Sequence, residues 1–195
     1  MLELKGKCLS ILGDSISTYK GVSNDNTANS TTGSNPYFYQ GDFPLEKAYW
    51  MRILKTFDMR LCVNNSRSGG NLSGIEDFSS GVNRAEQLSR ADGTSPDLII
   101  IFMGINDLGR GVDISAFSAD YEKTLNAINE KHPEAKVCCL NLPDRGYLKQ
   151  RTEEFNKAID SAVKKAGSNF FVADLYHSRL NNEFYYMNTV DGLHP

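Results

Sequence analysis

The chain has 195 residues, of which 40% are hydrophobic and 23% are charged, a size and composition typical of one globular domain. Its net charge of -3 and isoelectric point of about 5.6 argue against a basic surface for nucleic acid or an anionic membrane. No apolar stretch reaches the roughly 18 residues that a membrane-spanning helix needs, and residues 1–5 (MLELK) lack the form of a signal peptide. We therefore expect a single domain over residues 1–195 in the cytoplasm, although a secreted protein without its signal peptide would look the same.

Five continuous apolar runs predict β-strands at residues 8–12, 59–63, 97–103, 136–142 and 169–175. Since the runs are continuous and do not alternate with polar residues, they fit strands that are buried on both faces of a parallel sheet. Helical spacing of apolar residues predicts helices over the intervening segments 44–57, 79–90, 117–131 and 148–166, the second being the weakest. This alternation predicts an α/β fold, a flavodoxin-like doubly wound sheet of about five parallel strands in the order 2-1-3-4-5 with helices on both faces.

One long polar segment, residues 20–43, interrupts this alternation. It is rich in Asn, Ser, Thr and Gly and then carries Tyr37, Phe38 and Tyr39. A loop of this length inside a small domain is usually functional or disordered. The three aromatic rings either bind a sugar or an acyl chain, or hold the segment against the domain. The sequence leaves both interpretations open.

The cysteines Cys8, Cys62, Cys138 and Cys139 lie in or beside apolar strand-like runs. Adjacent Cys138 and Cys139 would point to opposite faces of a strand and make an awkward disulfide pair, so we expect buried reduced thiols. Because no C-x-x-C spacing or other metal-ligand pattern is present in the sequence, we expect neither a metal nor another cofactor.

Polar residues follow the predicted strands where each strand ends. Gly13-Asp14-Ser15 follows the first, residues 64–70 follow the second, Gly104 to Asp107 follow the third, and the chain closes with D-x-x-H at 191–194. Because the carboxyl ends of parallel strands meet at one edge of such a sheet, where ligands bind, we expect these groups to lie close together.

This set of side chains suits acyl transfer. A serine such as Ser15 is a weak nucleophile until a base takes its proton, and His194 can be that base. Asp191 lies three residues before His194, so it can hold the imidazole in the right tautomer. The oxyanion formed at an attacked carbonyl needs fixed donors, and the candidates are the Ser15 N–H, the Gly69 N–H and the Asn106 amide.

Each of these groups also has a structural interpretation. Gly, Asp and Ser form turns, so Ser15 is also compatible with an ordinary strand exit. Asp107 is a candidate helix N-cap, and the glycine beside Gly69, Gly70, competes for the same role. Of the other histidines, His132 is predicted to end a helix at the surface, and His177 is predicted to lie in a loop or in the core.

Together these motifs resemble the SGNH (GDSL-type) hydrolase family of esterases, lipases and acylhydrolases. G-D-S-x-S at 13–17, the glycine stretch at 64–70, G-x-N-D at 104–107 and D-x-x-H-P at 191–195 match its blocks in family order. The resemblance implies that Ser15 is the nucleophile, His194 the base and Asp191 its partner, with Ser15, Gly69 and Asn106 as the oxyanion hole. Further substrate-binding candidates are Asp14, Tyr37, Phe38, Tyr39, Arg110 and Arg145.

The function that the resemblance implies is hydrolysis of carboxylic esters of small acyl groups, possible substrates including acetylated carbohydrates. The expected partner is a small-molecule ester substrate, with neither a nucleic acid nor a membrane span, and the oligomeric state is left open. The alternatives are lysophospholipase or thioesterase specificity, or a catalytically silent binding module with this fold. The sequence favours these functions over that of a flavodoxin-like nucleotide-binding protein, because it contains neither G-x-G-x-x-G nor a P-loop.

One feature departs from the family pattern. Family members usually continue past the His block into a final helix, whereas this chain ends at Pro195. Either the C-terminus is truncated or the domain closes differently from its relatives. We therefore expect His194 to be less firmly placed than in longer relatives, since chain ends commonly fray.

Overall fold

Five parallel strands form the centre of the protein, in the order β2-β1-β3-β4-β5. They are β1 (Cys8–Gly13), β2 (Arg60–Ser66), β3 (Leu98–Phe102), β4 (Lys136–Leu140) and β5 (Phe170–Ala173). This computed structural model describes residues 3–23, 38–39, 42–77, 79–144, 148–178, 189 and 193–194. The α/β class, the strand order and the parallel direction are those predicted from the sequence.

Among the residues that the structure describes, five α-helices accompany the strands: α1 (Tyr49–Thr56), α2 (Gly81–Arg84), α3 (Ile105–Gly109), α4 (Ile114–Lys131) and α5 (Lys149–Ala166). Two 3-10 turns cover Ser15–Ser17 and Leu45–Lys47. The Asp113 carboxylate caps α4 by accepting the backbone N–H groups of Ser115 and Ala116. At the end of α5 the chain turns at Gly167, whose φ of 105° favours glycine.

The strands are buried on both faces because each face is packed under helices. One core lies beneath α1 and the other beneath α4 and α5. Trp50 and Leu54 of α1 cover the first, and Phe117 and Phe155 fill the second. Alternate strand residues supply the two cores: Leu9, Ile11, Leu98, Ile100 and Cys138 to the first, and Leu12, Ile99, Ile101, Val137 and Cys139 to the second.

The helices depart from the predictions in four places. Helix α4 begins at Ile114, three residues before the predicted start at residue 117. The segment 44–57 begins with the 3-10 turn Leu45–Lys47 and becomes α-helical only at Tyr49. Segment 79–90 contains only the four-residue α2. The short helix α3 was not predicted. It begins directly after Gly104, whose φ of 118° lets the chain reverse at the end of β3.

All four cysteines are buried free thiols, as expected. Burial raises the pKa of Cys138 to about 11 and that of Cys139 to about 12. At Cys139 a hydrogen bond with Tyr121 acts in the opposite direction and lowers the pKa. Within the described part of the chain, no helix is both long and apolar enough to cross a membrane.

Candidate active site

The strand register brings three strand ends together at one edge of the sheet. Gly13, the last residue of β1, lies opposite Ser66 of β2 and Phe102 of β3. The chemistry-bearing segments that follow these strands therefore start from the same edge, as the topology predicts.

The turn after β1 is built tightly around Gly13. A Cβ atom at this position would lie 2.6 Å from the side chains of both Ser17 and Ser66, so only glycine fits. The carboxylate of Asp14 accepts the backbone N–H of Ile16 at 3.0 Å and caps the 3-10 turn that begins at Ser15. This geometry places the Ser15 side chain at the end of the strand.

The Ser15 hydroxyl and the His194 imidazole are hydrogen-bonded. His194 Nε2 lies 2.8 Å from Ser15 Oγ, although the two residues are 179 positions apart in the chain. The exposed fractions of the two residues are only 4% and 6%. This contact is contrary to the expectation of a loosely placed His194. The predicted third member of the triad, Asp191, lies outside the described residues.

Behind the turn lies a buried cation that sequence analysis missed. The Arg84 guanidinium donates to the carbonyl oxygens of Gly13 (3.1 Å), Ser79 (2.8 Å) and Asn65. It thereby ties the ends of β1 and β2 to the segment that leads into α2. Burial lowers the pKa of Arg84 to about 10, an effect that the nearby Asp14 opposes, so the guanidinium stays charged at neutral pH.

Asp14 is buried beside this cation, with an exposed fraction of 1%. Burial raises the pKa of its carboxyl to about 7, while the Ile16 N–H and the charge of Arg84 favour the ionised form. The carboxyl was a candidate for substrate binding, but its observed partners give it a structural role beneath the turn.

The glycine stretch and Asn106 meet at the neighbouring strand end. Asn106 Nδ2 donates to the carbonyl of Gly70 at 3.0 Å. Gly69 has a φ of 72°, a conformation that favours glycine. Arg110 Nη1 donates to the Gly69 carbonyl at 2.8 Å and to Asn71 Oδ1 at 2.6 Å. The predicted donors Gly69 and Asn106 are thus held in one hydrogen-bonded group, and Arg110 is engaged in holding it.

Asp107 holds the next two residues of the same segment. Its carboxylate accepts the backbone N–H of Leu72 at 2.7 Å, the backbone N–H of Ser73 at 3.0 Å and the Ser73 hydroxyl. The possibility that Asp107 is a helix N-cap is wrong, because it lies inside α3 and bonds across to another segment. Burial raises the pKa of its carboxyl, whereas the hydrogen bonds from Ser73 and Leu72 lower it, and the effect of burial is the larger.

Two of the three aromatic residues singled out in the sequence lie against the His194 ring. The Phe38 ring stacks on the His194 ring with centroids 3.4 Å apart and planes 11° apart. Tyr39 stands perpendicular to the His194 ring at 6.1 Å. Tyr37 and Arg145, also candidates for substrate binding, lie outside the described residues.

The two other histidines lie elsewhere. His132 caps the end of α4, but it is buried rather than at the surface, and burial lowers its pKa. His177 is an exposed loop residue whose Nδ1 lies 2.8 Å from Asp174 Oδ2. Asp174 lies three residues before His177, the same D-x-x-H spacing as at 191–194, and sequence analysis missed this second pair.

Comparison with solved structures identifies several proteins with a similar fold. The structure resembles a protein described as a GDSL-like lipase from Bacteroides ovatus ATCC 8483, with a TM-score of 0.69, 24% sequence identity, and coverage of 92% of this chain and 89% of that one. It also resembles an acetyl esterase mutant with acetate ion, with a TM-score of 0.63, 18% sequence identity, and coverage of 97% of this chain and 88% of that one. A third similar structure is a family two carbohydrate esterase from Clostridium thermocellum in complex with cellohexaose. It has a TM-score of 0.69 and 14% sequence identity, and the match covers 98% of this chain and 59% of that one.

These identities are low, so the structural likenesses establish the fold alone. A search of curated proteins gave no match. The family model of the GDSL-like lipase/acylhydrolases, in contrast, matches residues 11–195. That range includes every motif discussed above. The chain belongs to the GDSL-like lipase/acylhydrolase family.

Proposed function

We propose that the protein is a serine esterase that hydrolyses carboxylic esters of small acyl groups through an acyl-enzyme on Ser15. The observation that carries this proposal is the 2.8 Å hydrogen bond between His194 Nε2 and Ser15 Oγ. A serine hydroxyl becomes an effective nucleophile when a neighbouring base accepts its proton during attack. The neutral imidazole of His194 is within reach of that proton.

The reaction follows from this pair. As Ser15 Oγ bonds to the ester carbonyl carbon, its proton passes to His194 Nε2, and the carbonyl oxygen becomes an oxyanion. When the tetrahedral intermediate collapses, the imidazolium gives the proton to the departing alcohol. A water molecule, deprotonated by His194, then attacks the acyl-enzyme, and the acid leaves as Ser15 regains its proton. Asp191, by family resemblance, would hold the imidazole in the required tautomer.

The oxyanion would be held by the N–H groups of Ser15 and Gly69 and by the Asn106 amide. Nδ2 of Asn106 carries two hydrogens, and one of them is held by the Gly70 carbonyl. That bond fixes the plane of the amide, so the second hydrogen has a defined direction before substrate arrives. Donors that are oriented in advance stabilise developing charge without reorganisation.

Small acyl groups on polar alcohols, acetylated carbohydrates among them, are the substrates that we favour. The polar composition of residues 20–43 supports this class. So do the structural neighbours described as an acetyl esterase and a carbohydrate esterase. A lysophospholipase or a thioesterase would use the same nucleophile and differ in the acyl and leaving groups.

Covalent labelling with a fluorophosphonate probe tests the nucleophile. The wild-type protein should be labelled, and Ser15→Ala should lose both labelling and turnover, the latter by about 10⁴-fold or more. Ser115→Ala, a change of the same kind at an exposed helix position, serves as the control. If the folded wild-type protein neither reacts nor hydrolyses esters, the silent binding module replaces this proposal.

Substrate class is tested separately with a matched panel. We expect p-nitrophenyl acetate and acetylated sugars to give higher kcat/KM than p-nitrophenyl octanoate, a lysophospholipid or an acyl thioester. A preference for the octanoate ester or the lysophospholipid would assign the protein to the long-chain acylhydrolases of the family, and a preference for the thioester would make it a thioesterase.

A further inference from the structure

The contacts of the aromatic residues resolve a question that the sequence left open. Phe38 lies flat on the His194 ring, with centroids 3.4 Å apart and planes inclined by 11°. The Tyr39 ring stands edge-on to Phe38 at 5.0 Å and stacks on Phe43 at 4.3 Å. One face of the proposed catalytic base is therefore covered by an aromatic ring that is itself packed from the side.

The backbone of Phe38 is bonded back to the nucleophile through one hydroxyl. The Phe38 N–H donates to Thr18 Oγ1 at 2.9 Å, and the Thr18 hydroxyl donates to the Ser15 carbonyl at 2.9 Å. Thr18 is fully buried. The carbonyl of Tyr39 also accepts the Lys20 N–H at 3.1 Å. These bonds fix the position of the Phe38 ring relative to Ser15, and hence that of the imidazole beneath the ring.

We propose that Phe38 is a positioning residue for the base: its ring, held by Thr18, keeps His194 Nε2 on Ser15 Oγ and stabilises the imidazolium. This inference rests on the proposed function, because it concerns the same proton transfer. The face of an aromatic ring is electron-rich and attracts a cation placed over it. Since the imidazolium exists only after Ser15 has given up its proton, the attraction is stronger in the transition state than in the ground state.

This role makes a different kinetic prediction from substrate binding. A ring that contacts the acyl or sugar group would stabilise the enzyme–substrate complex, so its removal would raise KM. A ring that acts through His194 would leave substrate affinity nearly unchanged, and its removal would lower kcat. Phe38→Tyr keeps the stacked ring, whereas Phe38→Leu keeps the apolar bulk and removes the π face.

Steady-state hydrolysis of p-nitrophenyl acetate by these variants distinguishes the two. We expect Phe38→Leu to lower kcat by about 5- to 30-fold with KM within about threefold, the size of one cation–π contact. Phe38→Tyr should stay within about threefold of the wild-type kcat. Phe57→Leu, the same substitution at a ring that is 48% exposed, is the matched control and should have no effect. A rise in KM at constant kcat would make Phe38 a substrate contact, and equal activity of all variants would overturn any role in catalysis.

A second variant tests the link to Ser15. Thr18→Val removes the hydroxyl that bridges Phe38 and Ser15 while keeping a similar shape. It should lower kcat without raising KM, and the double variant Phe38→Leu/Thr18→Val should lose less than the product of the two single effects, because the residues act as a unit. Fully multiplicative effects would separate Thr18 from the stack.

An NMR measurement tests the stack without turnover. The chain has only three histidines, so the His194 ring signals can be assigned by comparison with His194→Asn. A flat phenyl ring shields the protons above it, so the His194 signals should lie upfield in the wild-type protein and move downfield in Phe38→Leu, with circular dichroism confirming that the variant is folded. Unmoved signals would overturn the stack. Failure of the wild-type protein to react with the fluorophosphonate would overturn the proposed function and leave this result standing.

Discussion

The carboxylate of Asp107 offers a test of how the glycine stretch is held. Asp107→Ala removes the acceptor of three hydrogen bonds, two from backbone N–H groups of Leu72 and Ser73 and one from the Ser73 hydroxyl. Leu72 and Asp107 are fully enclosed, and Ser73 is 4% exposed. Water therefore has little access to replace the carboxylate.

The expected loss of stability follows from these bonds. Leaving a buried donor unsatisfied costs about 1–3 kcal/mol, so two backbone N–H groups give roughly 2–6 kcal/mol. Relief from burying a carboxylate, whose pKa burial raises, offsets part of this. We expect a decrease of about 3 kcal/mol in the free energy of unfolding. Ser73→Ala removes only the hydroxyl bond and should cost about 1–2 kcal/mol.

Urea unfolding monitored by circular dichroism measures these differences. The double variant Asp107→Ala/Ser73→Ala should lose less than the sum of the single effects, because both remove the same hydroxyl–carboxylate bond. Ester hydrolysis by folded Asp107→Ala should also be slower, since only one residue separates residues 72–73 from the stretch that contains Gly69. A decrease below about 1 kcal/mol for Asp107→Ala would refute the idea that these bonds hold the segment.

Three further predictions concern the same edge of the sheet. Asn106→Ala should lower kcat by about 10²–10³-fold with little change in KM, and an effect on KM alone would make Asn106 a ground-state contact. Gly13→Ala should lower the free energy of unfolding by about 1–3 kcal/mol, because its Cβ would lie 2.6 Å from Ser17 and Ser66; an unchanged urea midpoint would contradict this. Burial raises the pKa of Asp14 from 3.8 to about 7, so the protonated carboxyl favours folding, and this contribution is complete below about pH 4 and lost as pH rises towards 7. The side chain in Asp14→Asn cannot titrate. The free energy of unfolding of the wild-type protein, relative to that of Asp14→Asn, should therefore fall over that window by on the order of 4 kcal/mol. Unfolding free energies that change in parallel with pH in the two proteins would show that Asp14 is not buried as described.

The strands could be predicted because each is a continuous apolar run, a local signal that burial on both faces imposes. The end of β2 shows where this signal stops. The strand continues through Asn64 and Asn65 to Ser66, three polar residues that hydropathy assigns to a loop. Asn64 donates to the Ser17 carbonyl, and Asn65 donates to carbonyls of the α2 segment. These partners are distant in sequence, so no local pattern indicates that the polar side chains are satisfied inside a strand.

The candidate site likewise contains some residues that the sequence could predict and others that it could not. Ser15, Gly69, Asn106 and His194 could be found because strand topology and motif spacing both mark them. The supporting groups could not. Arg84 appears in sequence as one charge in a weakly amphipathic segment, and its burial depends on three carbonyl groups from separate parts of the chain. The contact of Phe38 with His194 likewise depends on segments that meet only in the folded protein.

Chemical modification of the four buried cysteines can be used to follow unfolding of the protein. Alkylating reagents attack thiolates, and burial keeps the thiols of Cys138 and Cys139 protonated at neutral pH. Neither reagent nor base reaches them until the sheet opens, so the rate of thiol modification in native buffer measures that opening without an added dye. The same protection means that a single cysteine placed at an exposed position such as Ile75, 59% accessible in the native protein, would react well before the native four.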